Sequence, residues 1–449
     1  MQRRTIVVGG GVAGLAAARE LTAAGDDVVV LEADAVAGGK LRTEAVADVV
    51  VDVGAEAVLA RRPEGVALID ALGLPRVHPT AATSRVWTRG ALRPLPRTLM
   101  GAPLDTESLA ASGILSAAGL ARASAPVLGM PAGIDPEDPD ADISVGHLVA
   151  HRFGDEVVDR LVEPLLGGVY AGQARAISTR AAVPQLWAGL PPAAPTLTGP
   201  VFASVAGGMG RIPATLAAGL VVRTGVEVTA LHRDDDGFVL ATSAGTERAD
   251  AVVLATPAGP SARLLAGLAP GAAAELGAVA AASVVVVTLA FRAADLPAGL
   301  DDASGLLCPP VDGHGIKAST FSFAKWDWVR EAGLAAGGVV HLRTSLGRAG
   351  EPGVLDRDDA DLVALSLADL AAATGLSARP VASHVQRWPD GLPQYAVGHR
   401  TRVARLRADV ARVPGLAVCG AVYDGVGIAA CLASASAAFS TLGPAPASR

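Results

Sequence analysis

From residue 5 the chain reads as a short apolar run, a break, a helical repeat and a second apolar run. Ile6-Val7-Val8 is continuous and β-branched, as in a strand buried on both faces. Leu15, Ala18, Leu21 and Thr22 then recur at helical spacing, and Gly25 closes that stretch. Val28 to Leu31 return as a second strand and end on Glu32. Val51 to Val53 before Gly54 predict a short strand and a turn, and Pro63 to Leu72 a helix carrying Val66, Leu68, Ile69 and Leu72. Residues 91 to 140, rich in Pro, Gly and Ala, read as extended and then looping. Asp142 to Leu166 has helical spacing with Pro164 near its end. Ala181 to Pro200 is broken by prolines.

A second strand-rich pattern opens near Phe202. Gly207-Gly208-Met209-Gly210 precede a helix over Ile212 to Leu220, and Val226-Glu227-Val228 predict a strand. Asp234 to Gly237 form a hairpin turn before the alternating strand Phe238 to Thr242. Ala249 to Pro257 is a return strand ending in a turn, and residues 283 to 345 predict a second sheet. Leu362 to Thr374 is a helix. Leu416 to Gly420 is a strand, a glycine loop runs to Gly427, and Ile428 to Leu442 is the last helix.

Composition narrows the class. At 449 residues the chain can hold two or three domains. The longest apolar run, Val284 to Phe291, is interrupted at Thr288 and is too short to span a bilayer. No charged-then-apolar leader is read ahead of Ile6. Three cysteines without C-x-x-C spacing predict neither a disulfide scaffold nor a zinc site, and fit a reducing cytoplasm. A net charge of −7 argues against nucleic-acid binding. Three lysines (Lys40, Lys317, Lys325) stand against 34 arginines, so a single arginine carries little information here.

The candidate chemistry begins in the first break. Gly9, Gly11 and Gly14 fit G-x-G-x-x-G between a strand and a helix: the first allows the turn, the second lets a pyrophosphate approach, the third packs helix on strand. Free N–H groups at the helix start form an anion site. Glu32, eighteen residues beyond Gly14, stands where a ribose hydroxyl needs an acceptor. Gly38-Gly39-Lys40-Leu41-Arg42-Thr43 follow at once, giving a second glycine pair and positive charge beside the diphosphate. From Arg61 to Arg97 seven arginines (61, 62, 76, 85, 89, 93, 97) face only Glu64 and Asp70, a local net of +5 suited to carboxylates.

The G-G-x-x-x-T ending resembles the FAD-binding start of the amine oxidase and protoporphyrinogen oxidase superfamily. Later segments are similar to the protoporphyrinogen/coproporphyrinogen oxidase family across nearly the whole chain. They are Val51 to Glu64, Leu92 to Pro96, Val162-Glu163-Pro164-Leu165-Leu166-Gly167-Gly168-Val169-Tyr170-Ala171-Gly172, Arg387-Trp388 with Leu392 to His399, and Cys419 to Ile428. The likeness is closer to the water-soluble bacterial branch. Ala429-Ala430 depart from it, where relatives often carry a proline.

The resemblance implies an α/β protein. A discontinuous Rossmann-like FAD domain of the p-hydroxybenzoate hydroxylase and amine oxidase type joins a mixed-sheet substrate domain and a helical subdomain. The implied division is 1–80, 201–265 and 386–449 for FAD, 81–200 for substrate and the helical part, and 266–385 for the substrate sheet. Gly9, Gly10, Gly11, Val12, Ala13, Gly14 and Leu15 would hold the pyrophosphate, Glu32 and Ala33 the ribose, and Lys40 the diphosphate flank. Gly54, Ala55, Glu56 and Ala57 would run past the flavin ring, and Val228 would meet the adenine. Trp388 would lie near the flavin, with Val426, Gly427 and Ile428 at its pyrimidine end.

The implied reaction takes six electrons from coproporphyrinogen III, by hydride transfer to flavin N5, and passes them to dioxygen with release of hydrogen peroxide. No catalytic side chain and no metal is expected. Arg62 and Arg85 would meet propionates, while Leu165, Gly168 and Tyr170 would line the apolar side. Residues 99 to 130, which dock on the bilayer in membrane-attached relatives, are interrupted by Asp105 and Glu107, so at most peripheral membrane contact is expected. Protoporphyrinogen oxidation, flavin amine oxidation and porphyrin carriage without catalysis stay open, as does a transient contact with a ferrochelatase.

Overall fold

A computed structural model describes residues 2–189 and 199–443. Two sheets dominate it. The first is five-stranded and parallel, and runs Val221–Arg223, β2 (Asp27–Leu31), β1 (Arg4–Val8), Ala251–Leu254 and Leu416–Val418. Its strands are continuous apolar runs because both faces are covered. On one face α1 (Val12–Ala23) packs beside the last helix, Leu15, Ala18 and Leu21 meeting Leu432, Ala435 and Ala438. The other face carries the antiparallel layer Val228–Asp234, Gly237–Thr242 and Gly245–Ala249, with Phe238 and Leu240 in its core.

The second sheet has seven strands: β3 (Thr83–Thr88), β4 (Ala91–Pro94), β5 (Ala281–Arg292), β6 (Ala303–Leu307), β7 (Ile316–Thr320), β8 (Val339–Leu346) and β9 (Ala382–Pro393), in the spatial order β9-β5-β8-β7-β6-β3-β4. The odd positions of β5 from Val285 to Phe291 join Leu342 and Leu346 under the helix Asp359–Thr374. The even positions, Val284 to Ala290, face the opposite way, Ala290 joining Val46, Val49 and Val51 and Val284 joining Ala171. Among the described residues no helix is long and apolar enough to cross a membrane.

Three sequence readings change. Residues 91–140, read as loop, contain the helices Thr106–Ser112 and Ala117–Ser124, each capped by a side chain (Asp105, Ser116). Pro164 lies inside a continuous helical run rather than near its end: residues 155–170 stay helical through a π-helical stretch at Val158–Val162 into α2 (Glu163–Tyr170), the wide turn preceding the residue that lacks an N–H. The strand expected at Val226 begins at Val228, because the Gly225 and Val226 amides bond the Asp34 and Glu32 carbonyls instead. The proline-broken stretch to Pro200 falls partly outside the described residues.

Candidate active site

The turn between β1 and α1 is closed by contact. A Cβ on Gly14 would stand 1.9 Å from the Gly9 carbonyl oxygen, so no larger residue lets the helix start so near the strand. Gly11 caps α1 with extended backbone and no side-chain acceptor, leaving the first N–H groups free. Val12 is half-buried, while Ala13 and Leu15 turn into the core, so these positions offer backbone only. Ala33 is exposed at the rim. Glu32 accepts from the Gly10 amide at 2.5 Å and from the Asp34 amide at 2.8 Å. Each carboxylate oxygen keeps a lone pair for a hydroxyl. The Gly225 and Val226 amides, bonded at 2.9 Å to Asp34 and Glu32, bring Val228 to the same end.

The opposite end is built from the second glycine pair. Gly38 donates to the Gly10 carbonyl at 2.8 Å and bridges Gly11, and Gly39 lies directly over Gly11. Lys40 next door is exposed, with protein crowding its ammonium. That crowding pushes its ammonium below the ordinary value, opposed by the Cys431 sulfur. The chain then folds back: the Ala55 amide donates to the Lys40 carbonyl at 2.9 Å. A Cβ on Gly54 would come within 2.1 Å of that carbonyl and 3.2 Å of the Trp388 ring. Trp388, on β9, donates from Nε1 to the Val53 carbonyl at 3.4 Å. Ala57 is half-buried beside Val46 and Trp326. The last helix, α3 (Ile428–Leu442), starts at Gly427 with extended backbone and no side-chain cap, following half-buried Val426. Strand-to-helix order puts its N-terminus at the same sheet edge as that of α1. Two uncapped helix starts, a ribose acceptor at one end and a tryptophan-walled recess at the other fit FAD.

Residues that sequence reading missed hold this recess from behind. Glu56 is clasped by Arg343 at 2.8 Å and by Lys325. Burial pushes the Glu56 carboxyl up, but the two cations outweigh it and hold it at about 2. Asp52 accepts from the Met209 amide at 2.7 Å, and burial raises it to about 7 against the pull of Arg343. Lys325 carried a usable signal, being one of three lysines in an arginine-biased chain; Arg343 carried none.

Beyond the recess α2 turns Leu165, Gly168 and Val169 outward, Val169 being 42% exposed. Gly168 faces Leu307 of β6 with a Cβ-equivalent distance of 3.9 Å. The end of α2 is pinned by Gln394 Nε2 on the Tyr170 carbonyl at 2.8 Å. Ala171 packs on Val284, the cross-strand partner of Trp388, so this apolar face adjoins the Gly54 recess.

Three of the expected substrate residues have other neighbours in this structure. Tyr170 is 5% exposed and packs into the helical core 5.6 Å from Tyr395, where burial pushes its hydroxyl up to about 12. Arg62 is 51% exposed and its hydrogen bonds go to Glu64. Arg85 pairs in register with Leu306 while Val86 pairs with Leu307, so Arg85 points to the sheet face away from Gly168. The arginine cluster disperses for the same reason. Arg76, Arg89 and Arg97 meet Asp70, Glu156 and Asp105, and Arg93 bonds the Thr88 carbonyl. The local +5 counted Glu64 and Asp70 but not Glu156 and Asp105, which folding brings in. His399, stacked on Tyr395 and bonded to the Val422 carbonyl at 2.9 Å, is a packing residue.

The profile of the family described as "Flavin containing amine oxidoreductase" matches residues 12–438. A coproporphyrinogen III oxidase of Mycobacterium tuberculosis (strain H37Rv) is 38% identical over 469 aligned positions, spanning 98% of this chain and 97% of that protein. A coproporphyrinogen III oxidase of Bacillus subtilis (strain 168) is 29% identical, spanning 98% and 97%. A crystal structure from Exiguobacterium sp. 255-15 superposes with a TM-score of 0.86 at 30% identity, covering 98% of this chain and 99% of that one.

Proposed function

This chain belongs to the flavin-containing amine oxidoreductases and, within them, to the coproporphyrinogen III oxidases; we propose that it converts coproporphyrinogen III to coproporphyrin III with dioxygen as final acceptor. Its cofactor is FAD, which when bound supplies a two-electron oxidant. The observation that carries the substrate reading is the small, apolar face of α2, with Gly168 across from Leu307, adjoining the Gly54–Trp388 recess. A flat macrocycle needs such a wall: apolar, open at Gly168, and beside the recess.

The polypeptide's part is binding, orientation and exclusion of water. Leu165, Val169 and Leu307 offer apolar surface to the pyrroles. Gln394 and Tyr395 lock the end of α2, Tyr395 donating to the Ala421 carbonyl at 2.5 Å, so that the wall keeps its distance from the cofactor. The N-terminus of α3 offers N–H groups to negative charge at the pyrimidine end. Three rounds remove six electrons and six protons, and three dioxygen molecules leave as hydrogen peroxide. The three cysteines are unpaired and buried, in keeping with work in the cytoplasm.

The test is anaerobic mixing of the FAD-loaded protein with coproporphyrinogen III, protoporphyrinogen IX and an amine in parallel. Bleaching of the flavin by coproporphyrinogen, then coproporphyrin and peroxide on admitting air, is the expected result. Bleaching by the amine alone would overturn the assignment, and faster bleaching by protoporphyrinogen would replace the substrate.

A further inference from the structure

Arg343 rises from β8 on the sheet face it shares with Trp388. Its Nη1 donates to two carbonyls, Asp52 at 2.9 Å and Gly54 at 2.8 Å, while Nη2 meets Glu56 at 2.8 Å. One planar fork thus ties both ends of the Asp52–Glu56 loop, which a single ammonium cannot do. Lys325, at the end of the short helix Ser322–Lys325, takes the other Glu56 oxygen. Trp388 and the Lys40 carbonyl press on Gly54, so the loop has no room to swing.

The charges do not cancel. Two cations face one permanent carboxylate, Glu56. Asp52, the other acid packed against Arg343, is driven by burial to titrate at about 7 and offsets only part of the excess near neutrality. Positive potential in a buried setting acts strongly on a neighbour that gains electrons.

We propose that Arg343 is a positioning residue for the cofactor: it sets the Gly54–Ala57 backbone against the isoalloxazine and, with Lys325, keeps behind the ring a positive excess that raises its affinity for electrons. This rests on reading the cradle with its ring end beyond Lys40, and not on which tetrapyrrole is oxidised.

The experiment compares wild type, Arg343→Met, Arg343→Lys and Glu56→Gln, each loaded with FAD and titrated anaerobically against a reference dye. Arg343→Met lowers the midpoint potential, and Glu56→Gln, which deletes the anion and spares both cations, raises it. Arg343→Lys restores the potential yet loses roughly ten- to a hundred-fold in kcat at constant KM, because the loop is no longer tied at both ends. Potentials that stay put, or that move the same way in Arg343→Met and Glu56→Gln, overturn the electrostatic claim, and full kcat in Arg343→Lys overturns the positioning claim. Should Arg343→Met fail to hold FAD, Glu56→Gln decides alone, and an unmoved or lowered potential sinks the proposal. Wild type that holds FAD but leaves porphyrinogens untouched defeats the proposed substrate, while the dye titration still reports on Arg343.

Discussion

The α-carbon of Gly54 faces the carbonyl of Lys40 so closely that one methyl group there would stand 2.1 Å from the oxygen. The same carbonyl accepts the Ala55 amide, so the contact fastens the turn as well as crowding it. Gly54→Ala should therefore fold, since the site lies outside the main cores, but leave with little FAD. The ratio of flavin to protein absorbance in the purified variant checks this; a stoichiometric yellow protein would contradict it.

Glu32 is held by two backbone amides, and its charge strengthens both bonds. Glu32→Gln replaces one acceptor oxygen with a donor that faces an amide. FAD affinity should fall by about ten- to a hundred-fold, as for loss of a charge-assisted hydrogen bond. Quenching of free FAD fluorescence on titration with apoprotein measures it. Equal affinity in the two proteins would remove Glu32 from the ribose site.

Asp52 predicts a pH effect of definite sign. Its carboxyl titrates at about 7 when folded and near 3.8 when unfolded, so the folded chain holds a proton that the unfolded chain has released. Its contribution is present in full below about pH 4 and is lost as pH rises to about 7. Glu56 works oppositely, its stabilisation being complete above 4.5 and lost as pH falls toward about 2. His399, depressed to about 4 by burial, also favours the fold less as pH drops below 6.5. The wild-type curve sums these, so the clean observable is the difference between wild type and Asp52→Asn in thermal midpoint. Wild type should lose ground to the variant from pH 4 to 7 and hold a constant gap above that. A difference independent of pH would refute the assignment.

Gly168 offers a test that spares the cofactor. Its Cβ direction is open apart from Leu307, so Gly168→Leu fits without disturbing α2 and fills the space in front of it. The expected outcome is a KM for coproporphyrinogen raised at least tenfold with unchanged FAD content. An unaltered KM would move the macrocycle to another wall.

The cradle was legible because it is local: Gly9, Gly11, Gly14, Glu32, Gly38 and Lys40 are consecutive in function as well as in sequence. The Gly54 turn and α3 were legible through resemblance. The clamp on Glu56 was not, because Arg343 reaches Asp52 across 291 residues and no short-range pattern encodes that pairing. Tyr170 was named through resemblance, which carries no burial, and the structure packs it into the helical core beside Tyr395. Arg85 was likewise named through resemblance, which does not fix the sheet face, and its register with Leu306 sets it on the face away from Gly168.

The five-stranded layer takes its members from residues 4–8, 27–31, 221–223, 251–254 and 416–418. During synthesis, then, β1 finds one neighbour at once in residues 27–31 and waits for the other at 251–254, while the helix start at Gly427 arrives only near the end. A chain that stops just short of residue 416 therefore carries the opening glycine turn with both its strand neighbours and lacks the second uncapped helix start.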